Sequence, residues 1–322
     1  MRRSGTLLLG LALLLSPAIG LAEDFPAKPI RLIVPFPAGG PNDIIARVVG
    51  QRMSELFKQT VVVDNRGGQG GVLGTDAVAK ATPDGYTIAI SSAGALAISP
   101  SMERVAYDTL QDLAPVTLVA TVPEMLVVAP DVPAKDMAGL IALAKSKPGQ
   151  LNFASSGPGG LPHLAGEMLH LAAGIDIVHV PYRGAAPAVN DLIGQQVQMA
   201  FLDLPVLLPQ VKAGSLRPIA IGSEARASTA PDVPTSAEAG YPALRIENWY
   251  GMVAPKGTPD AIIATLNRVA RQAMDDPTVK AKLADQGAAL AGDSPEHFRS
   301  FIAAEIKRWA GVIRDAGVET AK

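Results

Sequence analysis

Two serine pairs, Ser91-Ser92 and Ser155-Ser156, each close an apolar run of strand-forming residues. Hydroxyls at the C-terminal ends of strands sit where open α/β sheets take up ligands. They can donate to a carboxylate without adding a fixed charge, or act as nucleophiles beside a histidine. Strand alternation decides which member of each pair faces a cleft. His163 follows the second pair closely enough to face Ser156. A secreted serine hydrolase that uses a glycine-rich-loop serine with His163 is therefore the rival to simple ligand capture. No G-x-S-x-G elbow is present, and the lack of cysteine excludes a thiol nucleophile.

Other polar residues have plainer roles to weigh. His163, Glu167 and His170 share a helix face and could supply three zinc ligands. The spacing is not HExxH and spans two turns, so no metal is expected, and His163 reads as a residue of the cleft edge or a partner of the loop before it. No cofactor is expected either. Arg183 could clamp a carboxylate bidentately or steer anions by its field. Asp43, in the first turn of a helix, either caps N–H groups or holds waters and accepts an amine or hydroxyl. Asp203 could bind a ligand amine, bridge a water or cap the helix that follows. Trp249 and Tyr250 either shape the cleft or pack an interface between lobes, the second being the commoner role.

These residues are positioned by two strand–glycine–helix loops, Ile30–Arg47 (IRLIVPFPAGGPNDIIAR) and Leu151–Glu167 (LNFASSGPGGLPHLAGE). In each, free backbone N–H groups and the positive end of a helix dipole converge, which suits an anion. Pro37, Ala38, Gly39 and Gly40 carry no side chain that would block a ligand, and Phe36 is either cleft wall or core. Two such mouths suggest a cleft between α/β lobes that closes on a small carboxylate. Bulk at Gly39 or Gly159 is expected to impair that closure.

Around these loops strand and helix signals alternate. Strands are expected at 30–34, 61–63, 87–91, 151–154, 177–180, 197–202 and 217–221. Helices are expected at 41–57, 137–145, 161–172, 186–193 and 205–212, and the alternation implies a mostly parallel sheet. Helices at 259–274, 278–285 and 295–315, with hardly a strand, are expected to pack back onto the first lobe. That places lobe one at 24–121 plus 248–322 and lobe two at 122–247, with crossings near 119–126 and 247–253.

Composition agrees with a soluble, well-cored chain: 322 residues, 48% hydrophobic, 18% charged and only 4% aromatic. Arg2-Arg3, the apolar stretch from Leu7 and the small residues at Gly20–Ala22 read as a secretory signal peptide over residues 1–22. Without cysteine there is no lipid anchor and no disulfide. Removing those residues leaves 26 basic against 30 acidic groups, a net −4. Nothing here is basic enough for nucleic acid. A monomer free in the periplasm is expected.

The segments PIRLIVPFPAGGPNDIIAR, VVVDNRGGQGG, ATPDGYT, SSGPGGLPHLAGE, VPYRGAAPAVNDLIGQQVQMAF, TSAEAGYP and NWYGMVAPKGTP resemble, in order, those of the Bug family. These are the solute-binding receptors of tripartite tricarboxylate transporters. The resemblance implies an α/β, two-lobe periplasmic binding protein fold of type II with the ligand cleft between lobes. It implies capture of a small organic anion, often a carboxylate, without chemistry, and partners that are either permease subunits of a tripartite transporter or a sensor kinase. Carried onto this chain, the contacts are the loop Phe36–Asp43, then Ser91, Ser92, Ala93 and Gly94, then Ser155, Ser156, Gly157, Gly159 and Gly160, then Tyr182, Arg183, Gly184 and Asp203. The family commonly has threonine or serine where this chain has Asn42.

Overall fold

The computed structural model describes residues 25–315, so the signal-peptide reading of 1–22 lies outside the described residues. Ten strands form one sheet: β1 (Ile30–Val34), β2 (Val61–Asn65), β3 (Thr87–Ser92), β4 (Leu113–Val128), β5 (Leu151–Ser155), β6 (Ile177–Pro181), β7 (Met199–Asp203), β8 (Arg217–Ile221), β9 (Glu247–Pro255) and β10 (Ala289–Leu290). The main path runs β2-β1-β3-β9-β4-β7-β5-β6, with β8 and β10 also on β4.

Eleven α-helices cover the faces. They are α1 (Pro41–Phe57), α2 (Val72–Ala79), α3 (Ser99–Met102), α4 (Thr109–Asp112), α5 (Met137–Ser146), α6 (Leu161–Ala173), α7 (Ala185–Ile193), α8 (Leu204–Lys212), α9 (Asp260–Asp275), α10 (Pro277–Ala284) and α11 (Pro295–Asp315). Among these described residues no helix is long and apolar enough to cross a membrane.

The sheet is mixed rather than mostly parallel. Strands β1, β2 and β3 pair parallel, as do β5, β6 and β7, but every pair made by β4 or β9 is antiparallel. The reason lies in β4, whose 16 residues serve two neighbourhoods. Its first part, Leu113–Pro123, runs along β9 and touches β10; from Glu124 onward it pairs with β7 and β8 instead. Pro123 has no N–H to donate at the point of exchange, and two register shifts upstream bend the strand. The alternation of helices and strands could not reveal a strand shared in this way.

Helices α9 and α10 pack on α1, and α9 and α11 on β4, so the C-terminal helices cover the half of the sheet that holds β1, β3 and β9. The attachment of α11 is polar at its centre. Trp249 of β9 and Trp309 of α11 are both buried, and both indole N–H groups donate to Glu305 Oε2 at 2.9 Å. Arg308 donates to the other carboxylate oxygen. Glu305→Ala would orphan two buried donors, so a loss of about 2–4 kcal/mol in unfolding free energy is expected by urea titration.

Candidate ligand cleft

The elements meet at a narrow cleft that opens to solvent. Four helices present their first residues to it: Gly40–Asn42 of α1, Gly160–Pro162 of α6, Gly184–Ala186 of α7, and Asp203 before α8. None of the four has a side chain capping its N–H groups. Each therefore leaves backbone donors and the positive end of its dipole for whatever enters. Phe36, Pro37, Ala38, Ser92, Gly94 and Ser156 line the remaining wall, and Asn248 and Tyr250 of β9 lie beside Asp203. Among the described residues no lysine, arginine or histidine lines this cleft.

Twelve of the residues carried over from the resemblance are cleft-lining: Phe36, Pro37, Ala38, Gly40, Pro41, Asn42, Ser92, Gly94, Ser156, Gly160, Gly184 and Asp203. The structure settles the serine pairs. Ser91 is fully buried and hydrogen-bonded to Thr75 at 2.9 Å, whereas Ser92 faces the cleft. Ser155 is likewise buried, 2.6 Å from His179 Nε2 and bonded to the Gly157 backbone, whereas Ser156 faces the cleft. Ala93 is sealed in the core because the chain turns into a wide π-helical segment, Gly94–Ile98, and Gly94 takes the cleft position.

Other expectations need correcting. Asp43 does not line this cleft: it accepts from the Gly39 N–H, Asn65 and Arg47, and so locks the first glycine loop to α1. Burial works to raise its pKa, but those hydrogen bonds prevail and hold it below the usual carboxylate value. The Gly39 N–H is used in this lock; a Cβ there would meet nothing within 4 Å, but its φ of +83° would strain any other side chain. Tyr182 and Arg183 do not reach the cleft. With Gly157 they line a neighbouring recess shared with Gly68–Gly71, and Tyr182 donates to Asp191 at 2.7 Å. Gly159 also stays outside, because its carbonyl accepts from Ser99 and its N–H donates to His163 Nδ1.

His163 thus sits behind the loop and stacks on His179 with ring centroids 4.0 Å apart. Among the described residues no group of three potential ligands could hold a metal. The serine–histidine contact that does form joins Ser155 to His179, and Ser155 is sealed from solvent, so it does not match the Ser156–His163 pairing of the hydrolase reading.

Asn248 of β9 is the main omission of sequence reasoning, and Tyr250 lines the cleft where packing was the favoured role. They converge on Asp203: Asn248 Nδ2 donates to Asp203 Oδ1 at 3.0 Å and the Tyr250 hydroxyl donates to the same oxygen. Directly opposite Asp203 across the β4–β7 ladder stands Glu124, fully buried, with neither carboxyl oxygen hydrogen-bonded. Burial and the neighbouring Asp203 push Glu124 well above the usual carboxylate range, and burial raises Asp203 to about 6.

Loops from the two halves of the sheet also touch one another beside the cleft, almost entirely through glycine. A Cβ on Gly70 would lie 2.5 Å from the Pro158 carbonyl oxygen, and one on Gly94 would lie 3.3 Å from Gly160 Cα. A Cβ on Gly157 would come within 3.0 Å of Gly70 N, and one on Gly184 within 3.0 Å of Pro37. Ser99 Oγ adds one hydrogen bond, donating to Gly159 O at 3.1 Å.

The model of the tripartite tricarboxylate transporter family receptor matches residues 45–318. The chain belongs to that family. Protein BugT of Bordetella pertussis is 43% identical over 300 residues, covering 92% of each chain. The solved periplasmic binding protein BugD superposes with a TM-score of 0.88 at 34% identity, covering 92% of this chain and 99% of that one. A Rhodopseudomonas palustris protein solved with adipate gives a TM-score of 0.89 at 36% identity, covering 91% and 99%. The fold is therefore the two-lobe fold of periplasmic binding proteins, and the family is one of solute-binding receptors.

The histidine stack makes stability depend on pH. Burial, and then the adjacent His163, lower His179 from 6.5 to about 3. Between those values the unfolded chain binds a proton that the folded chain refuses, so stability falls as pH falls. Acidification from pH 7 to 5 is expected to cost about 1–2 kcal/mol, and His179→Gln should flatten that acid limb in urea unfolding.

Proposed function

We propose that this chain is a periplasmic receptor that closes its lobes on a small organic carboxylate and hands it to a tripartite tricarboxylate-type permease or a sensor. The observation that carries the reading is the convergence of four uncapped helix starts and two serines on one cleft without a cation. Such a site holds an anion by hydrogen bonds and dipoles, with water filling the remaining polar contacts. The adipate held by one relative supports a carboxylate. On this reading the export signal is residues 1–22 and the mature receptor diffuses free of any lipid anchor, since it has no cysteine.

Lobe one would comprise 24–121 plus 248–322 and lobe two 122–247, moving about β4 and β9. The glycine contacts between Gly70, Gly94, Gly157 and Gly160 are then the seam of the closed form. A ligand touching both lobes favours closed over open by its differential contacts, and a ligand held by one lobe would bias nothing.

Native mass spectrometry of freshly purified protein should reveal a retained organic acid, which calorimetry can then quantify. Ser92→Ala and Ser156→Ala are each expected to weaken binding by about 1–2 kcal/mol, roughly 5- to 30-fold. Ser155→Ala should lower stability more than affinity; full affinity in the Ser92 and Ser156 variants would remove them from the contact set.

Small-angle scattering should show a smaller radius of gyration at saturation with the retained acid. Gly94→Val should keep the larger value, because the added methyls meet the opposite lobe rather than their own core. No change in the wild type, starting from an open ligand-free state, would leave a rigid carrier.

A further inference from the structure

The helix starts account for one end of a carboxylate ligand; the Asp203 end is chemically opposite. Among the described residues Asp203 is the one acid that lines the cleft, and no cation lines it to compensate. Both hydrogen bonds from β9 fall on Oδ1 and fix the carboxylate plane. Among the described residues Oδ2 has no side-chain partner. Behind it Glu124 is sealed in the strand pair with neither oxygen hydrogen-bonded, so it makes no hydrogen bond to Asp203.

Resting on the carboxylate reading above, we infer that Asp203 Oδ2 is a specificity contact for an N–H or O–H donor at the end of the ligand remote from its carboxylate. The preferred substrate class is then a hydroxy- or amino-substituted monocarboxylate. A dicarboxylate would set its second anion against Asp203 with no cation to share, and one of the two would need a proton. An ammonium or hydroxyl instead gains a charge-assisted hydrogen bond to the carboxylate. Asp203 is only 3% exposed, so covering its carboxylate with a ligand that brings no donor would cost free energy.

The test is calorimetry on the full mature chain at pH 7.5 with matched four- and six-carbon probes. Butyrate, 4-hydroxybutyrate, 4-aminobutyrate and succinate form one set; hexanoate, 6-hydroxyhexanoate, 6-aminohexanoate and adipate form the other. In the wild type the hydroxy or amino acid of at least one set should bind tenfold or more tighter than the dicarboxylate of equal length. Asp203→Asn replaces an acceptor with a donor and should reverse that order, its fold checked by thermal melting. The wild-type ranking stands as a test even if that variant melts early. A dicarboxylate that binds tightest to the wild type, or an order unchanged by Asp203→Asn, would overturn the assignment while leaving the receptor reading intact. Failure of every probe to bind would count against the carboxylate reading itself, and the assignment would fall with it.

Discussion

The antiparallel ladder between β4 and β9 is the constraint on which the rest of the molecule depends. These strands hold the centre of the sheet, and β4 alone carries the chain from the β9 side to the β7 side. The exchange at Pro123 and Glu124 brings β7, and with it Asp203, within reach of Asn248 and Tyr250 on β9. A shift of two residues in that register would keep the same strand faces buried but would separate the three polar groups. The site and the connection between halves are thus one piece of hydrogen-bonded backbone.

Much of this was legible from local chemistry. Pro41 and Leu161 open helices where the glycine loops end, because a proline fits a first helical turn and glycine leaves the backbone exposed. What was not legible depended on partners far along the chain. Which serine of a pair faces the cleft followed from Thr75 and His179, neither of them a neighbour in sequence. Glu124 reads as an ordinary polar residue between apolar ones until its strand is seen to lie opposite Asp203. Asn248 and Tyr250 alternate along β9, so a strand reading could have placed them on one face, but not beside an acid. The sequence resemblance, by contrast, covered the fold well because the glycine loops carry both the family pattern and the architecture.

Asp43 illustrates how a residue type can mislead. An acid at a helix start beside a glycine loop looks like a ligand group, yet its oxygens are occupied by Gly39, Asn65 and Arg47. Its work is to hold the loop still so that neighbouring N–H groups stay aimed. Asp203 has a similar position before α8 but no cation beside it, and that difference in partners separates a structural acid from one facing the cleft.

The glycine contacts beside the cleft have an entropic consequence. Side chains brought together at an interface surrender rotamer freedom, by up to about 2 kcal/mol for the long ones. Here the surfaces that meet are Gly70, Gly94, Gly157 and Gly160 with a proline on either side, Pro37 and Pro158, so almost no rotamers are frozen when they touch. Nor is there much apolar area to reward the contact. On the closure proposed above, bringing the loops together freezes few rotamers, which leaves the balance between apart and together to whatever occupies the space between them.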